Sequence, residues 1–265
     1  MPKKNGRDGN MRLAGLFVLL VIGLIVLSSI FKIVFLVKDS RFDGVHKFNI
    51  EFVGKNTISL VSFSPQGKSI SILKVRKNGN DTLSKTYGII IDGEIILKND
   101  LSNKNISTTL IKSVFPFGNS IKDLTIIDLT RLFFFSRTVS QNSIYERELL
   151  KQYNKAQQST IISLSFMDPQ IYQENQSIEI VNATDVYGLG GRLATLINNL
   201  GGNVILVTSE KKEIETSKIS YSKEKTYTVK RLGEYLGFPL EEMDKKGIAD
   251  VIIIIGKDKA KNNKF

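Results

Sequence analysis

One glycine-rich run in the sequence has the residues of an anion-binding turn. Gly188-Leu-Gly-Gly191 precedes a predicted helix, and Arg192 follows it directly. Backbone N–H groups at such a position can hold a phosphate. The run lacks the Lys-Ser/Thr pair of a P-loop and the full spacing of a dinucleotide-binding turn. We therefore interpret it as a turn that permits close packing of a helix on a strand, with Arg192 either solvated or in contact with an anion.

Residue types needed for several enzyme chemistries are missing. The sequence has no cysteine, which excludes disulfides, thiolate metal sites and cysteine nucleophiles. His46 is the only histidine, and its place in Asp-Gly-Val-His predicts an ordinary surface residue rather than the base of a catalytic triad. With no cysteine and one histidine, the sequence offers almost no zinc ligands. We therefore predict no metal site. Asp123 and Asp128 fall on different faces of a helix, which predicts caps or surface positions rather than an acid pair.

A long apolar run lies near the start of the chain. Leu13–Phe31 contains no charged residue, and as a helix it would be about 28 Å long, close to the hydrocarbon core of a bilayer. A cleaved signal would have a shorter apolar region and a small-residue cleavage site, whereas this run resumes at Ile33–Val37. The sequence therefore predicts a single transmembrane anchor over 13–37.

The charges that flank this run predict its orientation. Residues 1–12 form a short basic tail with one acid, Asp8, so the N-terminus should stay cytoplasmic. The domains that follow should then be extracytoplasmic, in a cell-membrane protein of single-pass topology. The basic residues of the tail are Lys3, Lys4, Arg7 and Arg12.

The chain is strongly basic, with a net charge of +11 from 37 basic and 26 acidic residues. On an exported domain this excess suits anionic lipid head groups or anionic wall polymers. Nucleic acid is not an expected partner, because a domain outside the membrane rarely meets any. The basic tail 259–265 is expected to be a solvated, frayed end. The candidate anion contacts are Arg192, Lys211 and Lys212.

The segment 45–158 predicts a mixed α/β domain. Its patterns predict three strands, with a hairpin turn at 64–68, and a second hairpin at Asp92-Gly93. A capping-box pattern that starts at Ser143 predicts the last helix. Residues 159–176 contain Asp168-Pro169 and a polar patch, which is typical of a linker. The predicted strands are 48–53, 57–63 and 69–75, and the predicted helices are 106–115, 126–137 and 143–158.

The segment 177–258 predicts a second domain with the order β-α-β-β-α-β. This order gives a two-layer sandwich with both helices on one side of the sheet. The last strand, Ala249–Ile255, is almost pure Val and Ile, which predicts that both of its faces are covered. The fold class is therefore α/β (α+β) behind an N-terminal transmembrane helix. The predicted strands are 178–182, 204–208, 218–222 and 249–255, and the predicted helices are 188–200 and 223–236.

The two ends of this second segment resemble a known module. Ile178–Gly191 reads IEIVNATDVYGLGG and Ala249–Asp258 reads ADVIIIIGKD. A strand ending in Asn-Ala-Thr, a small-residue turn into a helix and a closing strand with Gly-Lys-Asp are similar to the C-terminal domain of LytR-CpsA-Psr proteins. The resemblance implies a bacterial envelope protein, with or without a catalytic partner domain. The module has no established chemistry of its own.

The segment 45–158 more distantly resembles a shortened LytR-CpsA-Psr catalytic domain. Gly54–Thr57 stands where the family has Gly followed by Arg-Ser-Asp-Thr, and Lys74–Lys77 stands where it has Ile-Pro-Arg-Asp. Asn56 and Lys77 thus replace acidic residues, and only Arg76 keeps its identity. The resemblance implies transfer of a glycopolymer from a polyprenyl-pyrophosphate carrier, with carboxylates holding Mg²⁺.

These replacements argue against that chemistry. Mg²⁺ needs hard anionic ligands, whereas Asn56 offers a neutral carbonyl and Lys77 would repel the metal. Arg76 could still hold a phosphate with its planar donor fork. We therefore predict a binding remnant at Arg76, no catalytic residue and no cofactor.

The leading hypothesis is a non-enzymatic, membrane-anchored envelope protein that binds wall glycan, an anionic polymer or another envelope protein. The first alternative is a diverged glycopolymer phosphotransferase that attaches lipid-linked glycan to the wall. It would need Mg²⁺ and a convergence of Asp81 or Asp92 on Arg76. The second alternative is a regulatory or DNA-binding protein, but no helix-turn-helix spacing is present, and the predicted topology puts the basic surface outside the membrane.

Overall fold

The computed structural model describes most of the 265-residue chain, which folds into a long N-terminal helix and two mixed α/β units. The first helix, α1 (Arg7–Lys38), precedes two separate β-sheets. In α1 the side chains of 14–29, 31–32 and 37–38 are described, and in α2 those of 84 and 85 are not. The described residues are 7–77, 83–102, 106–115, 119–150, 152–210, 212–222, 224–243 and 247–260.

The first sheet has six strands in the order β5-β4-β1-β2-β3-β6. Its strands are β1 Phe48–Val53, β2 Thr57–Ser64, β3 Ser69–Arg76, β4 Gly93–Ile96, β5 Ser120–Lys122 and β6 Ile144–Leu149. The helices in this part of the chain are α2 Leu83–Tyr87, α3 Ile106–Ser113 and α4 Ile126–Thr138. The central strands β1, β2 and β3 form an antiparallel meander, whereas β4 runs parallel to β1 and β6 runs parallel to β3.

The predicted hairpin between β2 and β3 is confirmed. Ser64 pairs with Ser69, and Lys68 takes a positive φ of 43° to close the turn. The second predicted hairpin, at Asp92-Gly93, is wrong. β4 begins at Gly93 and pairs in parallel with β1, and Asp92 is buried directly before it. The local turn signal was misleading, because the buried Asp92 carboxylate is used in long-range contacts.

The helix predicted over 143–158 is also wrong for its first half. Residues Ile144–Leu149 form β6, which adds to the edge of the first sheet beside β3. Ile144 and Leu149 pack against opposite faces of that sheet, so strand pairing outweighs the local capping-box pattern. The helix begins instead at Lys155, behind a capping box formed by Asn154 and Gln157.

The first sheet is covered on both faces. Val61 and Ile72 belong to a core cluster shared with α3 and α4, and their neighbours Leu60 and Leu73 belong to a second cluster that includes α2. Adjacent residues of a strand point to opposite faces, so the two clusters lie on opposite sides. This part of the protein therefore has three layers.

The segment 159–176, predicted as a linker, is helical for most of its length. It forms most of α5 (Lys155–Phe166) and all of α6 (Pro169–Glu174), with the Asp168 side chain as the N-cap of α6. Phe166 packs into the core of the first sheet, and Ile171 packs into the core of the second. The segment therefore joins the two cores.

The second sheet has five strands in the order β10-β9-β11-β7-β8. The predicted order β-α-β-β-α-β is present with one further strand, β10, a short acidic edge strand that the sequence analysis missed. Its elements are β7 Ser177–Asn182, α7 Leu189–Asn199, β8 Asn203–Ser209, β9 Lys218–Tyr221, α8 Tyr227–Leu236, β10 Leu240–Glu242, β11 Val251–Ile255 and α9 Lys257–Ala260.

The helices α7 and α8 cover one face of this sheet, as predicted. Ile178, Ile180 and Ile253 lie in one core cluster with the buried residues of both helices. The expectation that both faces of β11 are covered is wrong, because Ile252 and Ile254 on the other face are only partly buried. A two-layer unit leaves the second face of its central strand without a covering layer.

Nearly all of the apolar side chains described in α1 are exposed, with Leu16 and Phe17 each at 67%. Among the described residues, no helix has both the length and the hydrophobicity that a membrane crossing requires. The transmembrane anchor at 13–37 therefore stays a prediction.

Candidate functional site

Two predicted anion-binding arginines, which lie far apart in the sequence, line neighbouring clefts that share Tyr87. One cleft, of about 340 Å³, contains Arg192, and the other, of about 290 Å³, contains Arg76. The first lies where α5 and α7 meet the residues around Tyr87. Lys155 on α5 lines it as well. The clefts therefore bring together basic side chains from both sheets' units.

Arg192 is positioned by the turn that opens α7. Gly188 takes a left-handed φ of 81° and caps the helix, and its carbonyl accepts a hydrogen bond from the Arg192 backbone N–H at 3.1 Å. Leu189 and Leu193, on either side in the sequence, are fully buried in the core, so Arg192 lies on the exposed side of the helix. A Cβ on Gly190 would lie 2.8 Å from Cγ1 of Val207, which confirms the predicted role of the glycine run in close helix–strand packing.

Lys155 is a site residue that the sequence analysis missed. It is the first residue of α5, directly after the N-cap Asn154, and it is exposed. The helix was predicted to begin twelve residues earlier, so Lys155 was placed within a helix rather than at its exposed start. The capping pair Asn154 and Gln157 was the sequence signal for the true start.

The wall of the Arg192 cleft is a hydrogen-bonded seam between the two units. The Asn199 side chain donates to the carbonyls of Tyr87 and Gly88, at 2.9 and 3.1 Å, and accepts from Ser159 at 3.2 Å. Gly88 has a φ of 60°, and a Cβ there would lie 3.1 Å from the Leu196 nitrogen. The backbones at Gly88 and Leu196 lie so close together that a side chain at Gly88 would not fit. The wall of the cleft therefore depends on glycine at this position.

Arg76 lies exposed at the end of β3, in a cleft that also contains Glu148. Tyr87 forms the boundary with the Arg192 cleft, and burial raises the pKa of its hydroxyl. The tyrosine therefore stays neutral at physiological pH. Among the described residues, the charged side chains that line these two clefts are Arg76, Lys155, Arg192 and the opposing Glu148.

The two residues that replace family acids, Asn56 and Lys77, lie beside Arg76 at the same end of the sheet. The Lys77 N–H donates to the Asn56 carbonyl at 3.0 Å. The carboxylate of Asp100 accepts from the Asn56 N–H at 2.9 Å, from its side chain at 3.1 Å and from the Thr57 N–H at 3.0 Å. The backbone hydrogen bond from Asn56, together with those from Thr57, lowers the pKa of Asp100 to about 2. This carboxylate holds the β1–β2 turn.

Asp92 does not lie near Arg76, as the phosphotransferase alternative would require. Its carboxylate accepts from the Asn49 N–H at 2.8 Å and lies 2.8 Å from Nη2 of Arg231, at the opposite end of β1 from Arg76. Asp81, the other candidate ligand, lies outside the described residues. In the described part of the chain, no group of three or more acidic or histidine side chains could hold a metal ion.

The remaining predicted residues fall elsewhere. Lys212 is exposed in the connection between β8 and β9 and lines neither cleft, and Lys211 lies outside the described residues. His46 lies at the surface, as predicted, with 32% of its side chain exposed. Its ring also stacks on Tyr227 of α8 with centroids 4.3 Å apart, and its Nδ1 contacts Asp43. No local pattern indicates this stacking, because the two rings come from different units.

Asp128 is a cap, as predicted, and it is fully buried. Its carboxylate closes the first turn of α4 through Thr125. It also accepts hydrogen bonds from Ser40, Arg41 and Phe42, each at 2.8 Å. The cap therefore fixes the chain directly after α1 to the first unit.

Comparison with known families identifies the second unit. Residues 175–258 match the family model LytR_C, described as LytR cell envelope-related transcriptional attenuator. The match covers the whole second sheet and confirms the resemblance of the C-terminal module. It associates the protein with the cell envelope. No curated protein and no solved structure matches the chain.

Among the described residues, the LytR_C segment supplies one wall of the Arg192 cleft and does not line the Arg76 cleft. Arg192 belongs to it, whereas Lys155 and Arg76 precede it in the chain. The resemblance of 45–158 to a catalytic domain stays a prediction. A site made by the contact of both units is not a property of the LytR_C segment alone.

Proposed function

We propose that this protein is a non-enzymatic envelope protein that binds an anionic cell-wall polymer in the two clefts beside Tyr87. The observation that carries the proposal is the position of Arg76, Lys155 and Arg192. These cations come from β3, α5 and α7, and they line two clefts that adjoin at one tyrosine. A chain of phosphate or carboxylate groups can contact several such charges at once, which a single small anion cannot do.

The charge of the whole molecule supports the same partner. An excess of 11 positive charges raises the local concentration of a polyanion and speeds its association. Arg76 and Arg192 are both exposed, so their guanidinium groups can form bidentate hydrogen bonds with phosphate. Both clefts are partly open to solvent, which gives a polymer access to them.

A binding function is favoured over phosphoryl transfer by the state of the nearby carboxylates. Mg²⁺ needs oxygen ligands with free lone pairs. Asp100 is engaged with Asn56 and Thr57, Asp92 is engaged with Arg231, and Glu148 is a single carboxylate in the Arg76 cleft. The phosphotransferase alternative would therefore need a ligand set that the described residues do not supply.

We further propose that α1 anchors the protein in the membrane, with both units on the outer side. The uncharged apolar run Leu13–Phe31, the basic residues before it and the exposed apolar side chains of the helix support this part of the proposal. An anchor in the membrane would hold the clefts near the wall polymers. Localisation is thus proposed to be the cell membrane, with the N-terminus cytoplasmic.

The binding proposal is tested by sedimentation of the purified full chain with cell-wall fragments. Charge reversal of both Lys155 and Arg192 (K155E/R192E) should lower the affinity by about tenfold or more at low salt, and added salt should reduce the difference. The control is K112E/K212E, which makes the same change in net charge at two exposed lysines that line neither cleft. Wall fragments stripped of their anionic polymers should bind the unmodified protein weakly.

Two results would contradict the proposal. Equal sedimentation of K155E/R192E and K112E/K212E would show that overall charge, rather than the clefts, determines binding. Release of pyrophosphate from lipid-linked glycan by the purified protein would show that it is an enzyme.

A further inference from the structure

A third cleft, on the far side of the glycine run from Arg192, has a different chemistry. It has a volume of about 380 Å³ and lies where β7 and β8 end and α7 begins. Tyr187 lies at its rim with 98% of its surface exposed. The cleft is also lined by Asn182, Thr184, Asp185, Gly191 and Ser209.

The loop that carries Tyr187 is held in one conformation by buried polar side chains. The Asn182 side chain donates to the Val186 carbonyl at 3.0 Å, and the Thr184 hydroxyl donates to the Asn182 side-chain oxygen at 2.7 Å. The Val186 N–H donates to the Thr184 hydroxyl at 3.2 Å. Asn182 and Thr184 are both buried. An ordered loop therefore presents an aromatic ring to solvent without packing the ring against the protein.

The polar groups of this cleft suit a neutral ligand rather than an anion. The side chains named above include a carboxylate, an amide and two hydroxyls, and no lysine or arginine is among the described residues that line the cleft. An anion would be repelled by Asp185, which is exposed at the rim. Carboxylate, amide and hydroxyl groups can together accept and donate hydrogen bonds to the hydroxyls of an uncharged molecule. This cleft and the two beside Tyr87 therefore prefer different ligands.

A sugar ring matches both the aromatic and the polar parts of the cleft. One face of a pyranose presents C–H groups, which pack on an aromatic ring, and its edges carry hydroxyls for hydrogen bonds. Ligand sites combine apolar or aromatic surface with a few placed polar groups in a concavity of about 300–1,000 Å³. The cleft is therefore large enough for one or two sugar rings.

We propose that the Tyr187 cleft is a binding site for a neutral oligosaccharide, with one pyranose ring stacked on Tyr187. The site is separate from the anion-binding clefts and does not depend on them. The exposed side chains of Asp185 and Ser209 supply the hydrogen-bonding groups around the ring. A wall polymer with charged links and neutral sugars could occupy both surfaces of the same molecule.

The test is a calorimetric titration of the full chain with chitotetraose, a neutral oligosaccharide. The unmodified protein should bind it, and Tyr187→Ala should weaken binding by at least about tenfold, which corresponds to the loss of one aromatic stacking contact. Tyr187→Phe keeps the ring and should retain most of the affinity. The matched control is Tyr172→Ala, because Tyr172 is 61% exposed on α6 and does not line the cleft.

A second variant blocks the cleft without removing the tyrosine. A Cβ on Gly191 would meet no atom within 4 Å, so Gly191→Leu should fold and place its side chain in open space at the cleft. It should lose chitotetraose binding, while K155E/R192E should keep it. No binding by the unmodified protein, or equal binding by Tyr187→Ala and Tyr172→Ala, would overturn the proposal. Neither result would bear on the wall-polymer proposal, which the sedimentation experiment tests separately.

Discussion

Asp92 is the side chain that ties the two units together most directly. Its carboxylate has no exposed surface, and Nη2 of Arg231 lies 2.8 and 2.9 Å from its two oxygens. Arg41, after α1, donates to the Asp92 carbonyl at 2.9 Å. Burial lowers the pKa of Arg231, but the Asp92 carboxylate and, to a smaller extent, Tyr227 and Asp168 raise it by more, so the net shift is upward. The guanidinium therefore stays charged, and the ion pair joins α8 to the first sheet.

Removing one partner of this ion pair should destabilise the fold strongly. Arg231→Met leaves the buried Asp92 charge with only the more distant Arg41 guanidinium, 3.8 Å away. The expected loss is about 3 kcal/mol in the free energy of unfolding, measured in urea. The double variant D92N/R231M should recover part of the loss, because the uncompensated charge is removed as well. The control is Lys230→Met, an exposed neighbour on the same helix. A loss for Arg231→Met no larger than that of the control would show that the pair contributes little.

At the scale of elements, α7 and β8 show how a glycine run sets a packing distance. Gly190 and Gly191 are adjacent in the first turn of α7, yet only Gly190 faces the sheet. The side chain of Val207 on β8 occupies the space that a Cβ on Gly190 would need. The sequence predicted this packing from the turn residues, because glycine is the residue that allows such an approach.

The two glycines should therefore respond in opposite directions to the same substitution. Gly190→Ala places a methyl group 2.8 Å from Val207 Cγ1 and should lower the free energy of unfolding by about 1–3 kcal/mol. Gly191→Ala meets no neighbouring atom and should raise it by up to about 1 kcal/mol, because alanine favours the helix. Thermal and urea unfolding of both variants give the comparison. Equal effects at the two positions would contradict the packing argument.

The two wrong predictions of secondary structure have the same cause. The predicted helix at 143–158 and the predicted hairpin at Asp92-Gly93 both followed patterns of a few adjacent residues. In the structure, Ile144–Leu149 pairs with β3, and Gly93 pairs with β1, each across a large sequence separation. Local sequence preferences are overridden where long-range strand pairing buries more apolar surface. The helices at 126–138 and 189–199, whose local and long-range preferences agree, were predicted well.

The whole molecule is organised around the contact between its two units. Ile90, from the first unit, packs into the core of the second, and Lys47 donates at 2.9 Å to the carbonyls of Ser165 and Met167. Burial lowers the pKa of Lys47 to about 8, while Asp168 raises it in part. These contacts support the Arg192 cleft, because its walls come from both units. The Asp128 contacts separately place the first unit directly after α1.

The proposed anchor is tested on intact cells with the full chain. The protein should remain in the membrane fraction after a high-salt wash, and external protease should cleave the part that follows 37. A chain with Leu20 and Leu24 both replaced by Arg serves as the comparison, because two charges in the apolar run oppose insertion. Recovery of the unmodified protein in the soluble fraction, or a C-terminal reporter in the cytosol, would contradict the proposed topology.

The sequence by itself determined the elements whose pattern and packing agree. These include the β2–β3 hairpin, the second unit with its LytR_C match, and Arg76 and Arg192 as candidate anion contacts. Periodicity, turn residues and charge are local properties, so they can be recognised without coordinates. The apolar run at 13–31 is of the same kind, and its role stays a prediction.

Only the tertiary structure decided what these elements form together. It brought Arg76 and Arg192 to clefts on either side of Tyr87, added Lys155 and stacked His46 on Tyr227. It also left Tyr187 exposed on an ordered loop. The Arg192 cleft and the stacking of His46 depend on which distant surfaces meet, and that choice is made by burial of shared apolar area and by the Asp92–Arg231 ion pair. Sequence spacing carries little information about such contacts, because residues more than a hundred positions apart form them.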